Sequence, residues 1–125
     1  MEKNMDFIDG SERFDLQSAL DRFSGDHELL EEAISIFKEE AVKHLEGIQA
    51  NMDQNELKII SEKAHTLKGE CGAVGAVKAQ AISLTVEKSA NGGDFVEVQK
   101  LFPLLEKEIL LAIKLLPEVR KQLNS

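Results

Sequence analysis

The apolar residues of this chain recur at steps of three and four, and no stretch shows sustained alternation bounded by hairpin turns. After Asp26, the residues Leu30, Ala33, Phe37, Ala41, Leu45, Ile48 and Met52 share one stripe, with Glu31, Glu32, Glu39, Glu40 and Lys43 between them. That pattern predicts an amphipathic helix of about 25 residues. Before it, Asp15 can cap a short helix carrying Leu16, Leu20 and Phe23, which Ser24-Gly25 ends. Beyond it, Asp53 is the next cap candidate, and Leu57, Ile60, Ala64, Leu67, Cys71 and Val74 form a third stripe broken around Gly72 and Gly75. A fourth helix is expected from Ala79, Ile82 and Val86 on one side and Val77, Ala81 and Leu84 on another, running to about Ala90 before Asn91-Gly92-Gly93. Asp94 then caps a last helix with Phe95, Val98, Leu101 or Phe102, Leu105, Ile109, Ala112 and Leu116 on its stripe. Pro103 predicts a kink in that helix, and Pro117 predicts its fraying end. Long amphipathic helices joined by short connections place neighbours antiparallel. The expected fold is therefore all-α: an antiparallel up-and-down four-helix bundle with a short additional N-terminal helix. Residues 1–13, polar and carrying Gly10-Ser11, read as a flexible lead, and residues 14–125 as a single helical domain.

Composition narrows the possible functions. A chain of 125 residues holds one domain of ordinary size, and a formal charge of -8 with a pI near 4.9 repels phosphate backbones and anionic membranes. Neither nucleic acid nor a membrane is an expected partner. Trp and Tyr are absent, which removes the usual stacking platforms for bases or sugars. Cys71 is the single cysteine, so an intrachain disulfide and a thiolate metal cluster are both excluded. The longest purely apolar run, Ile109 to Ile113, is far short of a membrane span, and the first residues hold no apolar signal core. A cytoplasmic protein is the expectation.

Few residues carry recognisable chemistry. There is no phosphate-cradling glycine loop and no H-E-x-x-H or G-x-S-x-G motif. Glu62 and His65 have Glu-x-x-His spacing, but a dinuclear site in a bundle needs two such copies and two further Glu, so no metal is expected. The segment His65-Thr66-Leu67-Lys68-Gly69 is more informative. At about 100° per residue, His65 points roughly 130° away from the stripe Leu57 to Val74, toward solvent. Gly69 and Gly72, at i+4 and i+7, are read on the same outward face, where missing side chains would admit a partner. Lys68, at i+3, could neutralise an anion on the ring, or could be a solvated surface lysine. Residues 58–88 contain five Lys and three Glu, a net +2, which leaves -10 for the remainder and a local field that favours an acidic partner. If the third and fourth helices turn near Gly75, Glu87 stands level with His65, where it could accept from Nδ1–H and leave Nε2 free. The alternative is a surface acid facing Lys88.

With these residues on view, the chain resembles the histidine-containing phosphotransfer (HPt) domains of bacterial multistep phosphorelays, over roughly Phe14 to Leu116. The resemblance rests on Phe14-Asp15, Gly25-Asp26 with Leu29-Leu30, the His65-Thr66-Leu67-Lys68-Gly69 motif with Gly75-Ala76, and Gly93-Asp94. It implies that His65 is the phosphoacceptor, that Lys68 contacts the phosphoryl group, that Gly69 gives access, and that Glu87 holds the position of a Gln or Glu that orients the His. It further implies a phosphoryl carrier with no cofactor of its own, Mg²⁺ being supplied by the partner. The implied partners are receiver domains of response regulators and a hybrid sensor histidine kinase, and the expected state is a monomer. The alternative function is an unphosphorylated helical interaction module that docks receiver or kinase domains. The chain departs from the family pattern at Glu70-Cys71, where small residues are more usual, and this departure is expected to affect packing or partner preference.

Overall fold

The structure, a computed structural model, describes residues 13–123, so most of the predicted flexible lead lies outside the described residues. It is all-α, with α1 Leu16–Arg22, α2 His27–Met52, α3 Leu57–Ala73, α4 Val77–Asn91 and α5 Phe95–Gln122. Consecutive long helices pack on one another and α2 closes against α5, completing a ring of four, while α1 lies against α2 and α3. No helix among the described residues is long and apolar enough to cross a membrane.

The core follows the predicted stripes. Leu30 and Ile48 of α2, Ile60 and Leu67 of α3, Val86 of α4, and Val98, Leu105, Ile109 and Leu116 of α5 are all completely buried. Several expectations are corrected. Ile34 is buried and Ala33 only partly so, which shifts the α2 stripe by one residue near its start. On α4 the buried line is Ala79, Ser83, Val86 and Ala90, and Ala81 faces solvent. Ser83 is accommodated because its hydroxyl donates to Ala79 O at 2.9 Å. Asp53 does not cap α3. It closes α2 at the C-cap, Asn55 turns the chain at φ +55°, and Glu56 takes the N-cap position without a side-chain hydrogen bond. Asp15, Asp26 and Asp94 do cap, each accepting a backbone N–H from the first turn of its helix.

Pro117 does not mark the end of α5. The helix continues through both prolines to Gln122, with Val119 buried after the second. Burial of Val119 and the reach of Arg120 to Glu31 on α2 at 3.7 Å hold the last turn in place despite the missing donor. Arg13, expected in the flexible lead, is instead tied down. Its Nε donates to Glu108 Oε2 at 2.6 Å, and Glu108 is only 4 % exposed, so the guanidinium compensates a carboxylate that burial would otherwise penalise.

The turn between α3 and α4 is locked from outside. Asp15 N donates to Gly75 O at 2.7 Å and Lys78 N donates to Arg13 O at 3.3 Å, which straps the start of the domain across the hairpin. Gly75 sits at φ +75°, and a Cβ there would stand 2.5 Å from Asp15 O. Gly93 has a similar φ of +77° but open space around it. Gly93→Ala should therefore cost about 1–2 kcal/mol of conformational strain, and Gly75→Ala measurably more, because the strap must also move. Urea unfolding of both variants checks this, and equal losses would show that the Asp15 contact contributes nothing.

Candidate functional site

The α3–α4 hairpin brings three predicted residues together. His65 Nδ1 lies 2.9 Å from Glu87 Oε2, and Lys68 Nζ donates to Glu87 Oε1 at 2.9 Å. One carboxylate of α4 thus holds two side chains one turn apart on α3. Glu87 is half-buried at 16 % side-chain exposure, whereas the imidazole is 66 % exposed. With Nδ1 engaged, Nε2 has no hydrogen-bond partner among the described residues. A carboxylate at Nδ1 favours the tautomer with the proton there, leaving the Nε2 lone pair as the available nucleophile.

The pair of donors holds the Glu87 carboxyl below the usual carboxylate range. The hydrogen bond from Lys68 is the main cause, and the bond to His65 adds to it, while partial burial pulls the other way. The link between Lys68 and Glu87 was not anticipated from sequence, because spacing on α3 alone aims Lys68 toward an anion on the ring. The signal was available in the same hairpin register that brought Glu87 beside His65.

The two glycines part company. Gly69 is exposed and a Cβ there would meet nothing within 4 Å. Neither packing nor backbone conformation requires glycine at this position. Gly72, read as part of the outward face, is buried. A Cβ on it would lie 2.6 Å from Gln80 Nε2, and its carbonyl accepts from the Arg22 guanidinium. Gly72 is therefore covered by the Gln80 side chain and bonded through its carbonyl to Arg22, and does not belong to the access face.

Glu70 and Cys71 point elsewhere. His44 Nδ1 on α2 lies 3.0 Å from Glu70 Oε1. Cys71 is fully buried, and burial pushes its thiol up to about 12, partly opposed by a hydrogen bond with Ser83.

Fold and site together define a helical domain that presents an oriented, exposed imidazole on its surface. The chain belongs to the Hpt domain family, whose profile matches residues 32–121. Among solved structures, it is similar to histidine-containing phosphotransfer protein B from Pseudomonas aeruginosa PAO1, with a TM-score of 0.77 and 20 % identity over 90 % of this chain and 98 % of that one. A histidine-containing phosphotransfer protein from rice shares the fold at a TM-score of 0.53 and 18 % identity, over 94 % of this chain and 90 % of the other. No curated protein sequence matches this chain. As an Hpt domain it serves phosphotransfer in a phosphorelay, a family role that implies receiver domains as partners, and such domains carry phosphoryl groups without being enzymes.

The electrostatic arrangement makes a testable statement about pH. Because the folded carboxyl of Glu87 titrates below its unfolded counterpart, its contribution to stability is present above the unfolded value and lost as pH falls through the folded one. A ¹³C NMR titration of the Glu87 carboxyl should show a midpoint below that of a free glutamate side chain. Lys68→Met should raise that midpoint more than His65→Gln does. A midpoint unaffected by Lys68→Met would mean that the ion pair does not form in solution.

Proposed function

We propose that His65 accepts a phosphoryl group from the aspartyl phosphate of one receiver domain and passes it to the aspartate of another, with the domain acting as a monomer in the cytoplasm. A hybrid sensor histidine kinase that carries a receiver is a fitting donor. The observation that supports this most directly is the exposed imidazole with Nδ1 held by Glu87 and Nε2 left open.

In the forward step Nε2 attacks the phosphorus, an N–P bond forms, and the P–O bond to the receiver's aspartate breaks, returning a carboxylate. The ring keeps its Nδ1 proton and gains positive character, which the Glu87 carboxylate stabilises across 2.9 Å. Transfer to the next receiver reverses these bond changes. Phosphoryl transfer through a loose transition state depends on in-line positioning and charge neutralisation, and the receiver's acidic cluster and Mg²⁺ supply much of both. Lys68 contributes by exchanging its bond to Glu87 for one to a phosphoryl oxygen, so its net gain is the difference between two charge-assisted bonds. Gly69 leaves room beside the ring for the receiver's surface.

Incubation with a phosphorylated receiver should label the parent with an acid-labile, base-stable phosphate, and His65→Gln should abolish the label while leaving helicity intact. Wild-type labelling of His65→Gln would overturn the assignment. Binding of a receiver with no labelling of the parent would favour the interaction-module reading.

Gly69→Gln separates access from folding. Replacing an exposed helical glycine should stabilise the domain by about 0.5–1 kcal/mol, while the added side chain should slow single-turnover transfer at least tenfold. Unchanged transfer in a stabilised variant would show that Gly69 is not there for access.

A further inference from the structure

On the opposite flank of α3 from Glu87, a second cluster of ligand-type side chains joins α2 to α3. Glu40 and His44 are four residues apart on α2 and so share a face. Glu70 reaches them from α3, with Oε1 3.0 Å from His44 Nδ1. One ligand atom from each of the three residues falls within 4.8 Å of the others, and all three side chains are half-buried.

We propose that Glu40, His44 and Glu70 form a binding site for a divalent transition ion of the zinc class, held by one imidazole nitrogen and two carboxylates with a fourth position open to water. Tetrahedral ligand atoms about 2.1 Å from an ion stand about 3.4 Å from one another. The His44–Glu70 separation of 3.0 Å is already close to that value, and the 4.8 Å outer limit of the cluster leaves only side-chain rotation to complete the set. The charge also balances, since two carboxylates and a neutral imidazole present -2 to a dication. In the absence of an ion the two carboxylates are poorly compensated. Glu70 has only the imidazole, and Glu40 has a 3.3 Å contact with the solvent-exposed Lys43. Ligand chemistry separates the ions. Calcium takes six to eight oxygens and magnesium prefers an octahedral oxygen shell, whereas an imidazole with two carboxylates suits zinc and its neighbours. An ion bound through His44 Nδ1 needs that nitrogen free of its proton, with the ring proton on Nε2.

The site does not depend on phosphotransfer and can be tested apart from it. Untagged full-length protein is titrated with Zn²⁺ in competition with a chromophoric chelator, and its melting temperature is measured with and without the ion. The expected result is one equivalent bound at micromolar concentrations, with a rise in melting temperature. His44→Ala and Glu70→Gln should each weaken binding at least tenfold and remove the thermal shift, and His65→Gln should change neither. Circular dichroism establishes that the variants remain helical. The proposal is overturned if the parent binds less than one equivalent, if folded His44→Ala binds as tightly as the parent, or if His65→Gln alone abolishes binding.

Discussion

The His65 group depends on the length of one connection, the three residues between the end of α3 at Ala73 and the start of α4 at Val77. A shift of register by one residue along α4 would turn its side chains by about 100° and move them by about 1.5 Å relative to α3, which would carry Glu87 off the face that meets His65 and Lys68. The strap from Arg13 and Asp15 therefore does more than close the end of the bundle. By bonding the turn at Gly75 O and Lys78 N it fixes the register on which the 2.9 Å contacts rest, seven to twelve residues away along the chain. Arg13 is anchored in turn by Glu108 of α5, so the hairpin register is tied to the neighbouring helix as well.

In the phosphotransfer proposed at His65, Glu87 can orient the imidazole and still tolerate a phosphoryl group because it is not an isolated charge. A dianion on Nε2 would meet an unfavourable field from a bare carboxylate held one ring-width away. With the Lys68 ammonium 2.9 Å from its other oxygen, Glu87 presents a nearly neutral pair, and the ammonium can turn toward the new charge as it arrives. The exposure of the ring matters as well. In a high-dielectric setting neither the free nor the phosphorylated imidazole is strongly favoured by the protein, which suits a group that must be gained and lost with little free-energy change.

Most of the fold was legible because the stripes on α2, α3 and α5 obey one period and each burial decision is local to a helix. His65 and Glu87 were legible for a related reason: helical phase places one outside the core, and the turn length pairs it with the other. What was missed depends on contacts between elements. Asp53 has the chemistry of a cap, but the helix before it uses that position to end. Pro117 lacks a donor, but Val119 beyond it is buried. Gly72 lies on the same helical face as Gly69 by spacing from His65, yet the Gln80 side chain of α4 covers it. Arg13 looked like part of a polar tail because its partner is 95 residues away.

The departure from the family pattern at Glu70 and Cys71 is explained by the position of α3 between two neighbours. Ile60, Ala64, Leu67 and Cys71 face the core, and the two flanks of the helix are read by different elements. Glu70 follows His65 by five positions, about 140° further around the axis, and this takes it to α2 and His44 while His65 and Lys68 turn to α4. A charged residue directly after Gly69 can therefore be accommodated without entering the Glu87 hydrogen-bond system. Cys71, one step further, fills space in the core that it shares with Ser83, itself buried on α4. Neighbours in sequence on this helix are thus assigned to separate surfaces, so the flank facing α2 can vary in charge while the flank facing α4 keeps the geometry of the imidazole.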